Sequence, residues 1–342
     1  MVAPTGTKPI YVAMAADEGF AMPLAATVRS LLETLASDRR LHLFIIDGGI
    51  EPRTASRLRS SWADFDFQLS FVQPDVENLR KADTSGHVSI STYFRLLIPD
   101  LLPPEISEVI YLDADLLVRR NLGDLWDEPF GKSWCLASQD CAAPYINVRE
   151  ALPKNHRCAR LVATRTPIPN YLALGLDACL PYYNCGVMRL DLARWRELSL
   201  TEKLLKCLSD NADSLLWWDQ YALNVEIAGH WGPLDLRWNQ GAHVFRYPNW
   251  QCSPFEREVF ENLRVDPWIV HFSSPVKPWH AWCNHPFHAE FTAVLDRTDW
   301  KGTRPSFRDY ASRVFPLCYN AIAQRCRITT ETCVSIFKNG VN

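Results

Sequence analysis

"EVIYLDADLLVRR", residues 108–120, is the stretch on which the fold turns. Val109 to Leu112 form an apolar lead-in, Leu116 to Val118 follow, and Pro103-Pro104 and Asn121-Leu122-Gly123 bound the segment. Such a run reads as a buried strand. Its oddity is Asp113 and Asp115, two like charges separated by one alanine. In extended chain the side chains alternate, so both carboxylates project to one face and Ala114 to the other. Two carboxylates this close in apolar surroundings repel and lose hydration, and without compensation one stays protonated. A divalent cation, which takes hard oxygen ligands, removes the conflict and leaves positions open for phosphate oxygens. The other reading is a strand that ends at Leu112, with both aspartates in a solvated turn; D-x-D spacing alone does not separate the two.

Working outward, the first hundred residues alternate in type. "IYVAMAA" (10–16), "LHLFIID" (41–47) and "FQLSFV" (67–72) read as strands. Between them, "PLAATVRSLLETLA" (23–36) has helical spacing, and Pro52 suits the first turn of a helix running to about Phe65. "SISTYFRLLI" (89–98) reads as a helix stopped by Pro99. This β-α-β alternation predicts an α/β fold: a Rossmann-like, mostly parallel central sheet with flanking helices and a ligand site at the strands' carboxyl ends. Later, "YYNCGVMRLDL" (182–192) and "WIVHF" (268–272) read as strands, and "TEKLLKCL" (201–208) and "WWDQYALNVEIA" (217–228) as helices. Residues 140–181, with five prolines, read as a long excursion over the site.

Composition narrows the class. A net charge of −3, from 36 basic and 39 acidic side chains, gives no footprint for nucleic acid. No apolar run approaches the roughly 18 residues of a spanning helix. Eleven cysteines without a C-x-x-C read as free thiols in a reducing cytosol. Ten of the thirteen tryptophans lie at or beyond Trp195, and indole faces stack on sugar rings, which favours a carbohydrate ligand. Residues 301–342 read as a basic tail, with Arg304, Arg308, Arg313, Arg325, Arg327 and Lys338 among apolar residues. That pattern fits a membrane-surface amphipathic segment or a packed terminal helix.

Other segments place polar groups where chemistry needs them. "AMAADEGF" (13–20) follows the first strand, where an open parallel sheet binds a base and ribose, yet it lacks the dinucleotide glycines. "NCGV" (184–187) and "WWDQYALN" (217–224) set polar side chains among apolar ones, although Asp219 also suits a helix start as a bare charge. In "HFSSPVKPWHAWCNHP" (271–286), His271 offers a third metal ligand and Lys277 a phosphate clamp. His280, Cys283, His285 and His288 raise zinc, but their spacing fits no standard zinc module.

Taken in order, "AADEGF", "STYFRLLIPDLLP", "VIYLDADLLV", "YYNCGVMRLDL", "WWDQYALN" and "HFSSPVKPW…HP" resemble glycosyltransferase family 8, the retaining nucleotide-sugar transferases that include bacterial lipopolysaccharide galactosyl- and glucosyltransferases and glycogenin. The resemblance spans roughly residues 10 to 290 and implies the A-type glycosyltransferase fold, a UDP-sugar donor and Mn²⁺ or Mg²⁺. It implies a catalytic region over 1–300, its nucleotide-sugar half reaching about 135 and its acceptor half following. Asp113, Asp115 and His271 then correspond to metal ligands. Ala15, Asp17, Arg95, Asp113, Ala114, Asp115, Asn184 and Lys277 correspond to donor-binding positions, and Gln220 and Asp219 to the catalytic pair. Asp140 falls near an acidic position that contacts sugar, read here as acceptor-binding. Two departures stand out: Gly19 replaces a position that is often asparagine or another polar residue, and Ser274 or Pro275 replaces the usual glycine between the metal histidine and the lysine.

The implied activity is metal-dependent, retaining transfer of glucose or galactose from a UDP-sugar to a saccharide or glycolipid acceptor. The expected setting is the cytoplasm, at the inner face of a membrane that the tail would touch. The alternatives are a catalytically inactive sugar-nucleotide-binding protein and a glycogenin-like self-glucosylating transferase. A metal-free glycoside hydrolase would need only a carboxylate pair, and the ordered motifs argue against it.

Overall fold

The computed structural model describes residues 8–75, 90–154 and 156–305. Among the described residues ten strands make two sheets: β1 (Ile10–Ala16), β2 (Leu41–Asp47), β3 (Gln68–Val72), β4 (Glu108–Leu112), β5 (Leu116–Val118), β6 (Cys135–Gln139), β7 (Tyr183–Asp191), β8 (Trp231–Pro233), β9 (Gln240–Gly241) and β10 (Ile269–His271). The larger has seven strands in the order β3-β2-β1-β4-β7-β6-β8, and the smaller has the order β5-β10-β9. In the larger sheet only β7 is reversed; β1 lies parallel to β2 and β4, while β7 is antiparallel to β4 and β6. A reversed β7 brings its first residues to the edge where the parallel strands end.

The alternation expected of extended chain is visible in the two cores. Val12, Met14, Ile110 and Leu112 point to one face, under the helix Ala21–Thr34 with Leu24, Val28 and Leu31. Ala13, Val109 and Tyr111 point to the other, under Trp195, Leu204, Tyr221 and Leu223. Both faces are covered, so the strands read as continuous apolar runs.

Two local expectations are corrected. The segment from Ile90 to Leu97 is a 3₁₀ helix, and Pro99 does not stop it but sits in the first turn of a short α-helix, Ile98–Leu101. A proline's missing N–H is harmless at that position, where no intrahelical partner exists. The strand read over 108–120 is also not continuous, and the alternative of a strand ending at Leu112 has the boundary right. β4 ends at Leu112, β5 begins at Leu116, and the chain changes sheets across Asp113-Ala114-Asp115. The period-2 reading therefore does not apply to the aspartates themselves, yet they are not solvated: Asp115 is only 6% exposed.

The 140–181 excursion carries the short helix Val148–Ala151 and a 3₁₀ turn at Arg157–Arg160. Its two ends are bonded together by Asp140 N to Tyr182 O, Ile146 N to Leu180 O and Asn147 N to Ala178 O. Residues from 306 onward, which hold most of the basic tail, lie outside the described residues, as does Ser89. Among the described residues no helix is long and apolar enough to cross a membrane.

At the 113–115 junction each sheet supplies one backbone bond, Asp113 N to Gly186 O at 2.8 Å and Phe272 N to Asp115 O at 3.1 Å, and side chains supply the rest. Thr27, buried in the helix Ala21–Thr34, places its hydroxyl 2.8 Å from the Ala114 carbonyl and 2.9 Å from that of Leu116, and accepts from Leu116 N at 3.1 Å. Ser30, one turn on, accepts from Val118 N at 3.0 Å. Thr27→Val keeps the shape and orphans the Leu116 amide. We expect a stability loss of about 1–3 kcal/mol, seen as a lower urea midpoint at unchanged slope. An unmoved midpoint would mean that packing and the Asp113 and Asp115 backbone bonds hold the junction without Thr27.

Candidate active site

The carboxyl ends of β1 and β4, adjacent in the sheet, set the two loops of the site side by side. After β1, Ala15 is half-buried and Asp17 caps a 3₁₀ turn, its Oδ1 accepting from Phe20 N at 3.2 Å. Glu18 reaches across to accept from Glu51 N at 2.9 Å and Thr54 Oγ1 at 2.7 Å, which caps the helix Pro52–Ser61. The acidic pair of "AADEGF" thus builds its own loop. Gly19 leaves that turn narrow, since a Cβ there would stand 3.3 Å from Asp17 Oδ1.

After β4, Asp113, Asp115 and His271 converge, with one ligand atom from each lying within 4.8 Å of the others. His271 arrives on β10, whose antiparallel pairing with β5 sets His271 opposite Leu116. Its Nε2 is 3.7 Å from Asp113 Oδ2 and 3.4 Å from Asp115 Oδ1. Gly186 makes room, since a Cβ there would collide with the His271 ring and stand 2.8 Å from Asp113 Oδ2. Two carboxylate oxygens and an imidazole nitrogen around one point form a mixed O/N donor set suited to Mn²⁺ or Mg²⁺. The donor set and its glycine cradle therefore fit a divalent cation.

Cationic side chains hold the carboxylates from behind. Lys277 Nζ donates to Asp115 Oδ2 at 2.6 Å and to the Phe272 carbonyl at 2.7 Å. Burial alone would raise the Asp115 carboxyl, but Lys277 and His271 hold it far below its ordinary value. Arg95, on the 3₁₀ helix Ile90–Leu97, is 8% exposed and lies between Asp113 and Asp219. Its Nη2 meets Asp113 Oδ1 at 3.0 Å and its Nε is 2.8 Å from Asp219 Oδ2. The Nε–H itself is aligned on the Thr92 carbonyl at 3.2 Å and Nη1 donates to Cys185 O at 2.7 Å, so the Asp219 contact is coulombic rather than a formed hydrogen bond. Tyr111 stacks under the guanidinium, 4.7 Å from it, and donates its hydroxyl to Asp113 at 2.8 Å.

A chain of polar side chains leads away from the metal site. Gln220 donates from Nε2 to Asp140 Oδ2 at 3.1 Å, and Asn184 donates to the same oxygen at 2.8 Å. Gln220 Oε1 accepts from Cys185 N at 3.1 Å, and Asp140 Oδ1 accepts from Ala142 N at 2.7 Å. Asp219 and Gln220 open the helix Trp218–Glu226, directly after Trp218 at φ 42°, a left-handed conformation that a tryptophan seldom adopts.

The sequence candidates Asp113, Asp115, His271, Lys277, Arg95 and Asp219 thus share one cluster, and Asn184, Asp140 and Gln220 a second that touches it through residues 184–186. Ala15 and Asp17 stand on the adjoining loop. Ala114 turns into the core beneath, 5% exposed. The zinc alternative is not assembled. His280 Nδ1 accepts from Lys277 N and His285 Nδ1 from Phe287 N, and among the described residues only the Asp-Asp-His group converges. Ser274 turns its hydroxyl onto the Val276 carbonyl at 2.7 Å, tightening the loop where a glycine is usual. Sequence reading missed Thr27, Gly186 and Asn239, whose contacts with residues 113–116 and His271 are long-range; only the glycine of "NCGV" is visible within a motif.

This architecture is the A-type glycosyltransferase fold. A solved galactosyltransferase, LgtC, in complex with donor and acceptor sugar analogues, matches it with a TM-score of 0.70 at 21% identity, covering 86% of this chain and 100% of that one. The description "Glycosyl transferase family 8" matches residues 11–283, and the chain belongs to that family. Its curated relatives include General stress protein A of Bacillus subtilis strain 168, 28% identical over 295 residues, covering 85% of this chain and 94% of the relative. A lipopolysaccharide 1,2-glucosyltransferase of Escherichia coli is 23% identical over 291 residues, covering 83% and 77%.

Burial raises the Asp219 carboxyl from the ordinary 3.8 to about 6, against the opposing pull of Arg95. Between these values the folded chain holds a proton that the unfolded chain has released. Asp219 therefore stabilises the fold most below about pH 4, and that contribution is lost as pH rises through about 6. Asp115 acts oppositely and in a lower window: its contribution is present above about pH 4 and lost on further acidification. Asp219→Asn should flatten the fall in melting temperature between about pH 4 and pH 6. An unchanged slope would assign that titration to another group.

Proposed function

We propose that this protein transfers a hexose, glucose or galactose, from a UDP-sugar to a saccharide or glycolipid acceptor with retention of anomeric configuration. The carrying observation is the convergence of Asp113, Asp115 and His271, backed by Lys277, at the carboxyl edge beside the "AADEGF" loop. That is where an open α/β sheet binds a nucleotide. The names of LgtC, a galactosyltransferase, and of the E. coli relative, a lipopolysaccharide glucosyltransferase, support hexosyl transfer, and lipopolysaccharide-type assembly in the cytoplasm is the setting we favour.

Held by Asp113, Asp115 and His271, Mn²⁺ or Mg²⁺ supplies Lewis-acid neutralisation of the diphosphate leaving group. Asp17 and the Ala15 backbone receive the nucleoside. Lys277, already at the edge of the cluster, contacts a phosphate oxygen. Arg95 fixes Asp113 and Asp219 relative to each other and adds positive charge where the leaving group's charge develops. As the anomeric carbon–phosphate oxygen bond breaks, the Gln220 carboxamide faces the cationic sugar carbon. The acceptor hydroxyl forms its bond from the leaving-group side and gives its proton to a phosphate oxygen. Asp219, 3% exposed and turned to Arg95, acts electrostatically rather than as a nucleophile. Asn184 and Asp140 hold Gln220 and meet the sugar, with Asp140 nearest the excursion that would receive the acceptor.

Ligand that binds only the native state raises the melting temperature. UDP should do so in the presence of Mn²⁺, with the shift lost in Asp115→Ala, and the UDP-sugar giving the largest shift should be the donor. No shift with UDP, UDP-glucose, UDP-galactose or UDP-N-acetylglucosamine would overturn the donor reading. Gln220→Ala should lower turnover by more than about tenfold, within the range of electrostatic preorganisation losses, with donor affinity little changed. Full turnover in that variant would remove Gln220 from the reaction.

A further inference from the structure

We infer that Asn239 is a positioning residue that fixes the proton of His271 and ties the metal ligands to the sugar-facing amides. The inference rests on the metal–donor reading above. Asn239 ends a 3₁₀ turn, Leu236–Asn239, and leads into β9, whose parallel pairing sets Gly241 opposite His271. It is 5% exposed and bonded on both sides, its Oδ1 lying 2.9 Å from His271 Nδ1 and its Nδ2 2.9 Å from Asn184 Oδ1.

The direction of every bond in this chain is determined. Gly186 N donates to Asn184 Oδ1 at 3.0 Å, and a backbone N–H can only donate, so that amide oxygen is identified. The Asn239 atom facing the same oxygen must be its NH₂. The other end of Asn239 is then a carbonyl oxygen, and His271 Nδ1 must carry a proton to meet it. A neutral His271 therefore has its lone pair on Nε2, which is the nitrogen that faces Asp113 and Asp115. On its far side, Asn184 donates to Asp140, which also receives Gln220. One asparagine thus sets the ligating tautomer and links it, through Asn184 and Asp140, to the Gln220 carboxamide, whose oxygen is turned to Cys185 N.

Two variants separate these effects. Asn239→Asp keeps an oxygen toward His271 but sets a second oxygen against Asn184 Oδ1. Asn239→Leu removes both bonds while keeping the number and branching of side-chain heavy atoms. Free Mn²⁺ would be followed by electron paramagnetic resonance during titration in the presence of UDP, beside turnover and melting temperature. Asn239→Leu should weaken Mn²⁺ binding about 10- to 100-fold, the usual cost of losing a ligand's outer partner. Asn239→Asp should bind Mn²⁺ at least as well as wild type, while turnover falls by more than about tenfold. Wild-type Mn²⁺ affinity in Asn239→Leu overturns the inference, and so do equal affinity losses in both variants that track their melting temperatures. If the wild type binds no Mn²⁺ with UDP, the metal–donor reading fails and takes this inference with it.

Discussion

Two carboxylates and an imidazole nitrogen are made to face one point, and most of the surrounding structure exists to make that tolerable. Like charges in a poorly hydrated pocket are unstable unless countercharge or a cation compensates them. Lys277 on Asp115 and Arg95 on Asp113 supply permanent countercharge from two different segments, so folding completes the site before any ligand arrives. Gly186 supplies the space, and Thr27 partners the backbone of Ala114 and Leu116 at the junction. Each of these residues answers a problem set by Asp113-Ala114-Asp115.

Arg95 has the more exacting task of the two cations. It is buried, lies over the Tyr111 ring and bridges Asp113 to Asp219, two aspartates brought by distant segments. Its guanidinium is spread among these and the carbonyls of Thr92 and Cys185. A lysine would offer the charge without the planar fork, so the relative placement of the two acidic groups depends on arginine in particular. The raised Asp219 carboxyl marks how nearly this compensation balances the loss of water.

How much of this the sequence disclosed depends on the range of the forces involved. β1 and β2 were legible to the residue because a strand buried on both faces is an unbroken apolar run, ended in each case by an acidic residue or glycine. The segment at 90–97 is legible as a helix but not as a 3₁₀ one, because its apolar spacing suits either type, and Pro99, which reads as a stop, opens the next turn. The aspartates drew attention through their chemistry, but the alternation argument assumed a continuous strand, while the chain in fact leaves one sheet for another. That change is held in part by Thr27, which from its own surroundings is an ordinary helical threonine. Asn239 gave no local signal, because its role is defined by His271 and Asn184, one on a strand of each sheet. The order of six short motifs carried what no single spacing could.

The excursion between β6 and β7 leaves and rejoins the sheet at neighbouring strands, with its ends hydrogen-bonded across the gap. Such a segment behaves as an insert in a closed frame. Lengthening it costs only the slow logarithmic growth of loop entropy and does not move the register of either strand. Exposed stretches of 144–180 can therefore change length while residues 113–115, 184–186 and 271 stay in place. Its base is another matter: Ile168 and Tyr171 are buried, and Asn170 accepts from Tyr221 on the helix that carries Gln220, so one wall of the cleft varies at its rim and is anchored at its foot.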